Sequence, residues 1–152
     1  MKRIAIFPGS FDPFTMGHKD IVYRALPLFE KIIISIGVNS EKTSMFSVEK
    51  RIKWIQDVFI NDSRVIIESY SGLTVDFCIE KGAKFIIRGI RNTDDLRFES
   101  NIAQINSELA KNIETFFLFS KAEKSHISSS IIRDIIKNKG DVSQFIPKEI
   151  II

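Results

Sequence analysis

Disulfides are excluded at the outset. Cys78 is the only cysteine, so no intrachain bridge can form, and this cysteine usage fits a reducing compartment. Cys78 stands at core spacing with Val75 and Ile79, which suits an inert buried thiol rather than a nucleophile. Long apolar runs are missing as well. No window approaches the ~20 apolar residues of a membrane span. The run behind Met1-Lys2-Arg3 breaks at Pro8, too early for a secretory signal. Linkers, repeats and low-complexity tracts are absent, so residues 1–152 are expected to form one domain with a sizeable core. Charge of one sign is also scarce. A formal net charge of +3 and a pI near 9.0 favour anionic ligands in general without the basic stripe of a nucleic-acid binder. A cytoplasmic protein with no nucleic-acid or membrane partner is the expectation.

What the chain does have is alternation of strand-like and helix-like segments. Apolar runs at 3–7, 32–38, 65–67, 85–87 and 115–119 read as strands. The run at 32–38 is apolar on both faces, as a buried parallel strand is. Helical spacing links Ile21, Val22, Ala25 and Leu26 in a helix over about 17–29, with Pro27 expected to kink or end its last turn. A second helix starts behind an N-cap at Ser47 and carries Val48, Ile52, Ile55 and Phe59. A third, between Gly72 and Gly82, carries Val75, Cys78 and Ile79. A fourth, about 94–110, aligns Phe98, Ile102, Ile105 and Leu109 on one face. The fifth carries Ile131, Ile132, Ile135 and Ile136 and stops at Gly140. The pattern predicts an α/β fold: a Rossmann-like open sheet of five mostly parallel strands with helices on both faces. The phenylalanine-rich run at 115–119 is expected to pack in the core.

Everything else is organised around Phe7-Pro8-Gly9-Ser10-Phe11-Asp12-Pro13-Phe14-Thr15-Met16-Gly17-His18. This is a tight loop between the first strand and the first helix. Gly9 would let backbone N–H groups approach a bulky ligand. Gly17 and His18 fall at the helix start, where unpaired N–H groups and a partial positive charge favour phosphate. The loop has neither G-x-x-x-x-G-K-[ST] nor G-x-G-x-x-G, so it is neither a P-loop nor a dinucleotide fingerprint. It could also be a plain turn with a histidine cap.

In an open parallel sheet, ligands bind beyond the carboxyl ends of the strands. Ser10 and His18 follow strand one, Lys42 follows strand two, Arg88 and Arg91 follow strand four, and Ser128-Ser129-Ser130 opens the last helix. Cations and N–H groups gathered in one crevice would take an anionic ligand with several phosphates as counter-charge. Arg88 and Arg91 could instead pair with Asp94, Asp95 or Glu99, Lys42 could be solvated surface charge, and Ser128 could be only an N-cap. His126 reads as a surface polar residue.

Assembled in this order, the residues resemble the phosphopantetheine adenylyltransferase family, the bacterial type within the nucleotidyltransferase superfamily. Gly9-Ser10-Phe11-Asp12-Pro13-Phe14-Thr15-Met16-Gly17-His18 resembles the T/H-x-G-H motif of the superfamily in the form this family uses. Lys42 ahead of Met45-Phe46-Ser47, Arg88-Gly89-Ile90-Arg91 with Asp95 and Glu99, and Ile127-Ser128-Ser129-Ser130 resemble the family's other blocks. The resemblance implies adenylyl transfer from ATP to 4′-phosphopantetheine, giving dephospho-coenzyme A and pyrophosphate. By that resemblance His18 is catalytic, while Ser10, Lys42, Leu73, Thr74 and Arg88 hold phosphopantetheine. Ser10, Phe11, His18, Gly89, Ile90, Arg91 and Glu99 would hold ATP, together with Lys124, Ser125, His126, Ile127, Ser128, Ser129 and Ser130. Mg²⁺ carried with ATP, a homohexamer, and coenzyme A as a candidate feedback inhibitor are implied too. No carboxylate cage for the metal is evident, as suits a cation held mainly by phosphates and water. Family members usually continue past the Phe-x-Pro segment into a final helix, whereas this sequence stops at Ile152, and Phe98 replaces a tyrosine seen in some members. The competing readings are a superfamily enzyme using nicotinamide mononucleotide or glycerol 3-phosphate, and a non-catalytic nucleotide-sensing or RNA-binding module.

Overall fold

A computed structural model describes residues 2–152. Five strands form one sheet: β1 (Ile4–Gly9), β2 (Lys31–Gly37), β3 (Val65–Tyr70), β4 (Phe85–Ile90) and β5 (Glu114–Phe119). Their spatial order is β3-β2-β1-β4-β5 and every pairing is parallel. Between them lie α1 (Met16–Ala25), α2 (Val48–Val58), α3 (Thr74–Lys81) and α4 (Thr93–Leu109), with α5 (Ser129–Lys137) following β5. Pro27 acts as its chemistry requires. The α-helix gives way to a 3₁₀ turn at Leu26–Leu28, because proline supplies no donor for the next i→i−4 bond.

The strand order reverses direction at β1 and β4, and there the sheet opens. Pairing of β1 with β2 runs from Ile4–Lys31 to Gly9–Ile36, and β4 with β5 from Phe85–Glu114 to Ile90–Phe119. Between β1 and β4 it covers only Ala5–Phe85 and Ile6–Ile86. Pro8 has no N–H to offer across that gap. Its carbonyl is taken instead by the Arg88 side chain, Nη1 to O 2.5 Å. The splayed carboxyl ends of the two central strands make the crevice that a topological switch point provides.

Alternate residues of β1 feed opposite sides of the sheet. Ala5 and Phe7 pack with Ile21, Val22 and Ala25 of α1, Trp54, Ile55 and Val58 of α2, Ile132 of α5, and Val142, Ile146 and Ile150 of the C-terminal segment. Ile6 packs on the other side with Ile33, Ile86 and the α3 residues Val75, Phe77 and Cys78. Burial pushes the Cys78 thiol up to about 12, which keeps it protonated and inert.

Three details differ from the sequence reading, and the aligned face of α4 proves to be an exposed one. Ile79 does not share the burial of Cys78 but points outward. Phe98, Ile102, Ile105 and Leu109 align on α4 as the spacing requires, yet all are exposed, and Glu99 is the helix's buried residue. In β5, Phe116 and Phe119 are exposed, since β5 is an edge strand and the run is not core throughout. Finally, α5 ends at Lys137 rather than at Gly140, and Lys139 takes the left-handed conformation (φ 59°).

Candidate active site

The site begins with a cap. Thr15 is the N-cap of α1, and its hydroxyl accepts the His18 N–H at 3.3 Å. In return His18 Nδ1 accepts the Thr15 N–H at 3.0 Å. This is a capping box in which histidine fills the place usually held by glutamate or glutamine. The consequence is chemical. An Nδ1 that accepts must be unprotonated, so the neutral ring carries its proton on Nε2, at the edge turned from Thr15 and available to the cavity that His18 lines. Phe11 and Phe14 lie with ring centroids 5.0 and 5.3 Å from the imidazole. Burial among these rings, then the positive charges of Arg88 and Arg91, bring the His18 pKa down to about 3. The ring still lines the cavity, and with Nδ1 accepting it is a neutral donor at physiological pH.

Gly9 has a purpose beyond the one its position suggests. A Cβ there would stand 2.9 Å from Cζ of Phe11, so the glycine makes room for the Phe11 ring. Phe11 itself sits at φ 47°, a left-handed conformation that turns the loop back over β1.

A cavity of about 260 Å³ occupies the mouth between β1 and β4. Of the expected site residues, Ser10, Phe11, His18, Arg88, Gly89, Arg91, Glu99, Ile127, Ser128, Ser129 and Ser130 line it. A second cavity of about 220 Å³ adjoins it, sharing Ser10, Arg88 and Glu99 and adding Thr74, whose hydroxyl is 2.9 Å from that of Tyr70. The remaining expected residues lie elsewhere. Ile90 is buried in β4 and Leu73 is exposed ahead of α3. Lys42 stands on an exposed loop and lines neither cavity. Lys124, Ser125 and His126 form the approach to the serine run without lining the cavity, although the Lys124 carbonyl comes within 4.0 Å of where a Gly17 Cβ would be.

The cations are not bare. Arg88 makes a two-pronged ion pair with Glu99 (2.8 and 2.6 Å), from within β4 rather than after it. Arg91 pairs with Asp95 at 3.0 Å. Burial pushes the Asp95 carboxyl up, but hydrogen bonds and charge from Arg91, with Arg88 behind, outweigh it and hold it below the usual carboxylate range. Two arginines, two carboxylates and a neutral imidazole leave the lining without net charge, contrary to the expected pool of unpaired cations. Positive potential in the cavity therefore comes from oriented dipoles: the N-termini of α1, at Gly17, and α5, at Ser128–Ser130, both face it.

The cytidylyltransferase-like family matches residues 6–135. The phosphopantetheine adenylyltransferase of Flavobacterium psychrophilum is 53% identical over 148 residues, covering 97% of each chain. That of Cytophaga hutchinsonii is 50% identical over 150 residues, covering 99% of this chain and all of its own. The chain belongs to the phosphopantetheine adenylyltransferase family. It is an enzyme, a nucleotidyltransferase. In fold it matches a bifunctional NMN adenylyltransferase/ADP ribose pyrophosphatase from Francisella tularensis with a TM-score of 0.74 at 21% identity. That match covers 96% of this chain and 45% of the other.

Three residues outside the two linings brace the loops of the site, and the sequence assigns none of them a role. The Asp12 carboxylate accepts the Met45 and Phe46 N–H groups at 2.8 and 2.9 Å. The Arg51 guanidinium reaches the Ser10 carbonyl at 2.6 Å. Arg133 donates to the Asp12 carbonyl at 2.9 Å, and beside it Ser129 Oγ donates to the Pro13 carbonyl at 2.8 Å. Asp12 lies within the central loop and Arg51 and Arg133 on helices, and in each case the partner is backbone distant in sequence, which no local spacing marks. As for a metal, Glu99 and Asp95 are the carboxylates on the cavity and both are engaged by arginine. No group of three or more His, Cys, Asp or Glu side chains is arranged to hold a cation among the described residues.

Proposed function

We propose that the enzyme transfers the adenylyl group of ATP to 4′-phosphopantetheine, releasing pyrophosphate and forming dephospho-coenzyme A in coenzyme A biosynthesis. An oxygen of the acceptor phosphate attacks the α-phosphorus as the bond to the bridging oxygen breaks, and that electron pair leaves with pyrophosphate. A phosphate is already a nucleophile at neutral pH, so the protein need not supply a base. Its work is positioning and electrostatic stabilisation. Charge builds on the α-phosphate oxygens, and the Nε2–H of His18 meets it without a change of protonation.

The observation that carries this reading is the fixed, neutral His18 between two helix N-termini at the mouth of a doubled cavity. Triphosphate would lie along the larger chamber, against Gly17 and the serine run, with the adenosine held by Gly89, Arg91 and the 124–130 segment and Ile90 buried behind them. Phosphopantetheine would enter the smaller chamber past Leu73 and Thr74 and place its phosphate between Ser10 and Arg88. The exposed Lys42 loop would close on that phosphate once it is bound. The donor set suits Mg²⁺ held by phosphate oxygens and water. When bound it would draw charge from the phosphates.

The enzyme is proposed as a single cytoplasmic domain assembled into a homo-oligomer, a hexamer by family resemblance, with coenzyme A as feedback inhibitor. Pyrophosphate release should follow addition of phosphopantetheine and fail with nicotinamide mononucleotide or glycerol 3-phosphate. Equal turnover with either alternative acceptor overturns the substrate assignment.

A further inference from the structure

The geometry points to Arg51 and Asp12 as positioning residues that lock the Lys42 loop to the nucleotide loop, an inference resting on the reading of Lys42 as a ligand of the acceptor phosphate. Both side chains are buried, at 3% and 5% exposure. A buried charge is ordinarily neutralised by an opposite one, yet the bonds these two make go to the backbone and a hydroxyl. Arg51 Nε donates to the Phe46 and Ser47 carbonyls at 3.0 and 3.4 Å, Nη1 to the Ser10 carbonyl and Nη2 to Ser44 Oγ at 3.2 Å. Asp12 bonds the opposite way, from the nucleotide loop to the amides of Met45 and Phe46.

The two bridges cross. One starts behind the Lys42 loop and ends on Ser10, and the other starts two residues beyond Ser10 and ends on the Lys42 loop. Crossed bonds restrain both sliding and rotation of residues 44–47 relative to the phosphate seat. Lys42 is two residues from Ser44, so its Cα stays within about 7 Å of the anchored segment. A displacement of the anchor therefore carries over to the ammonium group.

Initial-rate kinetics on the full chain test this. Arg51→Lys keeps the cation but cannot hold acceptors on two loops at once. We expect KM for phosphopantetheine to rise about tenfold, with the ATP dissociation constant held within about threefold. In a double-mutant cycle, Arg51→Lys should add little to Lys42→Ala, because both remove the same contact. Ser44→Ala trims one bond at an exposed residue and should shift KM in the same direction by less. It decides the matter in the same cycle if Arg51→Lys does not fold. Additive effects in the cycle, or equal losses for ATP and phosphopantetheine, overturn the inference while leaving Lys42 assigned. An ordinary phosphopantetheine KM in Lys42→Ala alone removes that assignment and the inference together.

Discussion

His18 is held as a neutral hydrogen-bond donor by two independent features, its bond to the Thr15 amide and its burial beside two arginines. Removing the donor should cost about 10²–10³ in kcat, the usual loss for one oxyanion donor. ATP binding measured by calorimetry should change far less in His18→Ala, and near-normal turnover would falsify the role. The depressed pKa has a second consequence, with a definite sign. The unfolded chain takes up a proton near pH 6.5, whereas the folded imidazole does so only near 3. Stability contributed by the neutral histidine is therefore complete above 6.5 and is lost as pH falls from 6.5 toward 3, by up to about 1.4 kcal/mol per pH unit. Nitrogen-15 spectra of His18 should keep the Nε2–H pattern from about pH 5 to about pH 8. A titration inside that window would show the ring to be charged when the reaction occurs.

At the scale of elements, the central loop is set by its own aromatic packing. Phe11 is buried over Gly9, so an added methyl at 2.9 Å from the ring cannot be relieved by a flexible side-chain end. Gly9→Ala should destabilise the fold by about 1–3 kcal/mol, the range for overpacking. Chemical denaturation would measure it, and Gly9→Ala/Phe11→Leu should recover part of the loss. A stable Gly9→Ala single variant would mean that the loop can shift. Much of this element was legible beforehand: the β–α turn, the cap at Ser47, the break at Pro27 and the serine-run helix all follow from local chemistry. The split between β1 and β4 was not. It depends on a proline in one strand meeting an arginine side chain from another 80 residues away, and local pattern carries no trace of such a meeting. Asp12 and Arg51 were invisible for the same reason, since a charge that bonds to distant backbone looks like any solvated charge in sequence. Of the two readings of the crevice that the residues leave open, the pairing of Arg88 with Glu99 and Arg91 with Asp95 holds over the pool of unpaired cations.

Seen as a whole molecule, the distribution of apolar surface is uneven. Phe98, Ile105 and Leu109 on α4 are 65%, 58% and 57% exposed, and the edge strand β5 leaves Phe116 and Phe119 exposed. Helical spacing identified the α4 stripe correctly but could not say whether the sheet or another surface would cover it. Among the described residues nothing buries it, and contiguous exposed hydrocarbon of this kind marks an interaction surface. A second copy of this chain is the occupant proposed. Ile102, on the same stripe, also lines the smaller cavity, so a copy seated there would close that chamber against water. Ile105→Glu places a charge in the middle of the stripe without touching a cavity-lining residue. It should reduce the mass seen by sedimentation velocity and raise KM for phosphopantetheine more than for ATP. An Ile105→Glu enzyme that sediments like the parent would move the subunit contact to another face. A dissociated enzyme with unchanged KM would instead leave the assembly in place as proposed and show that each chain closes its own chamber.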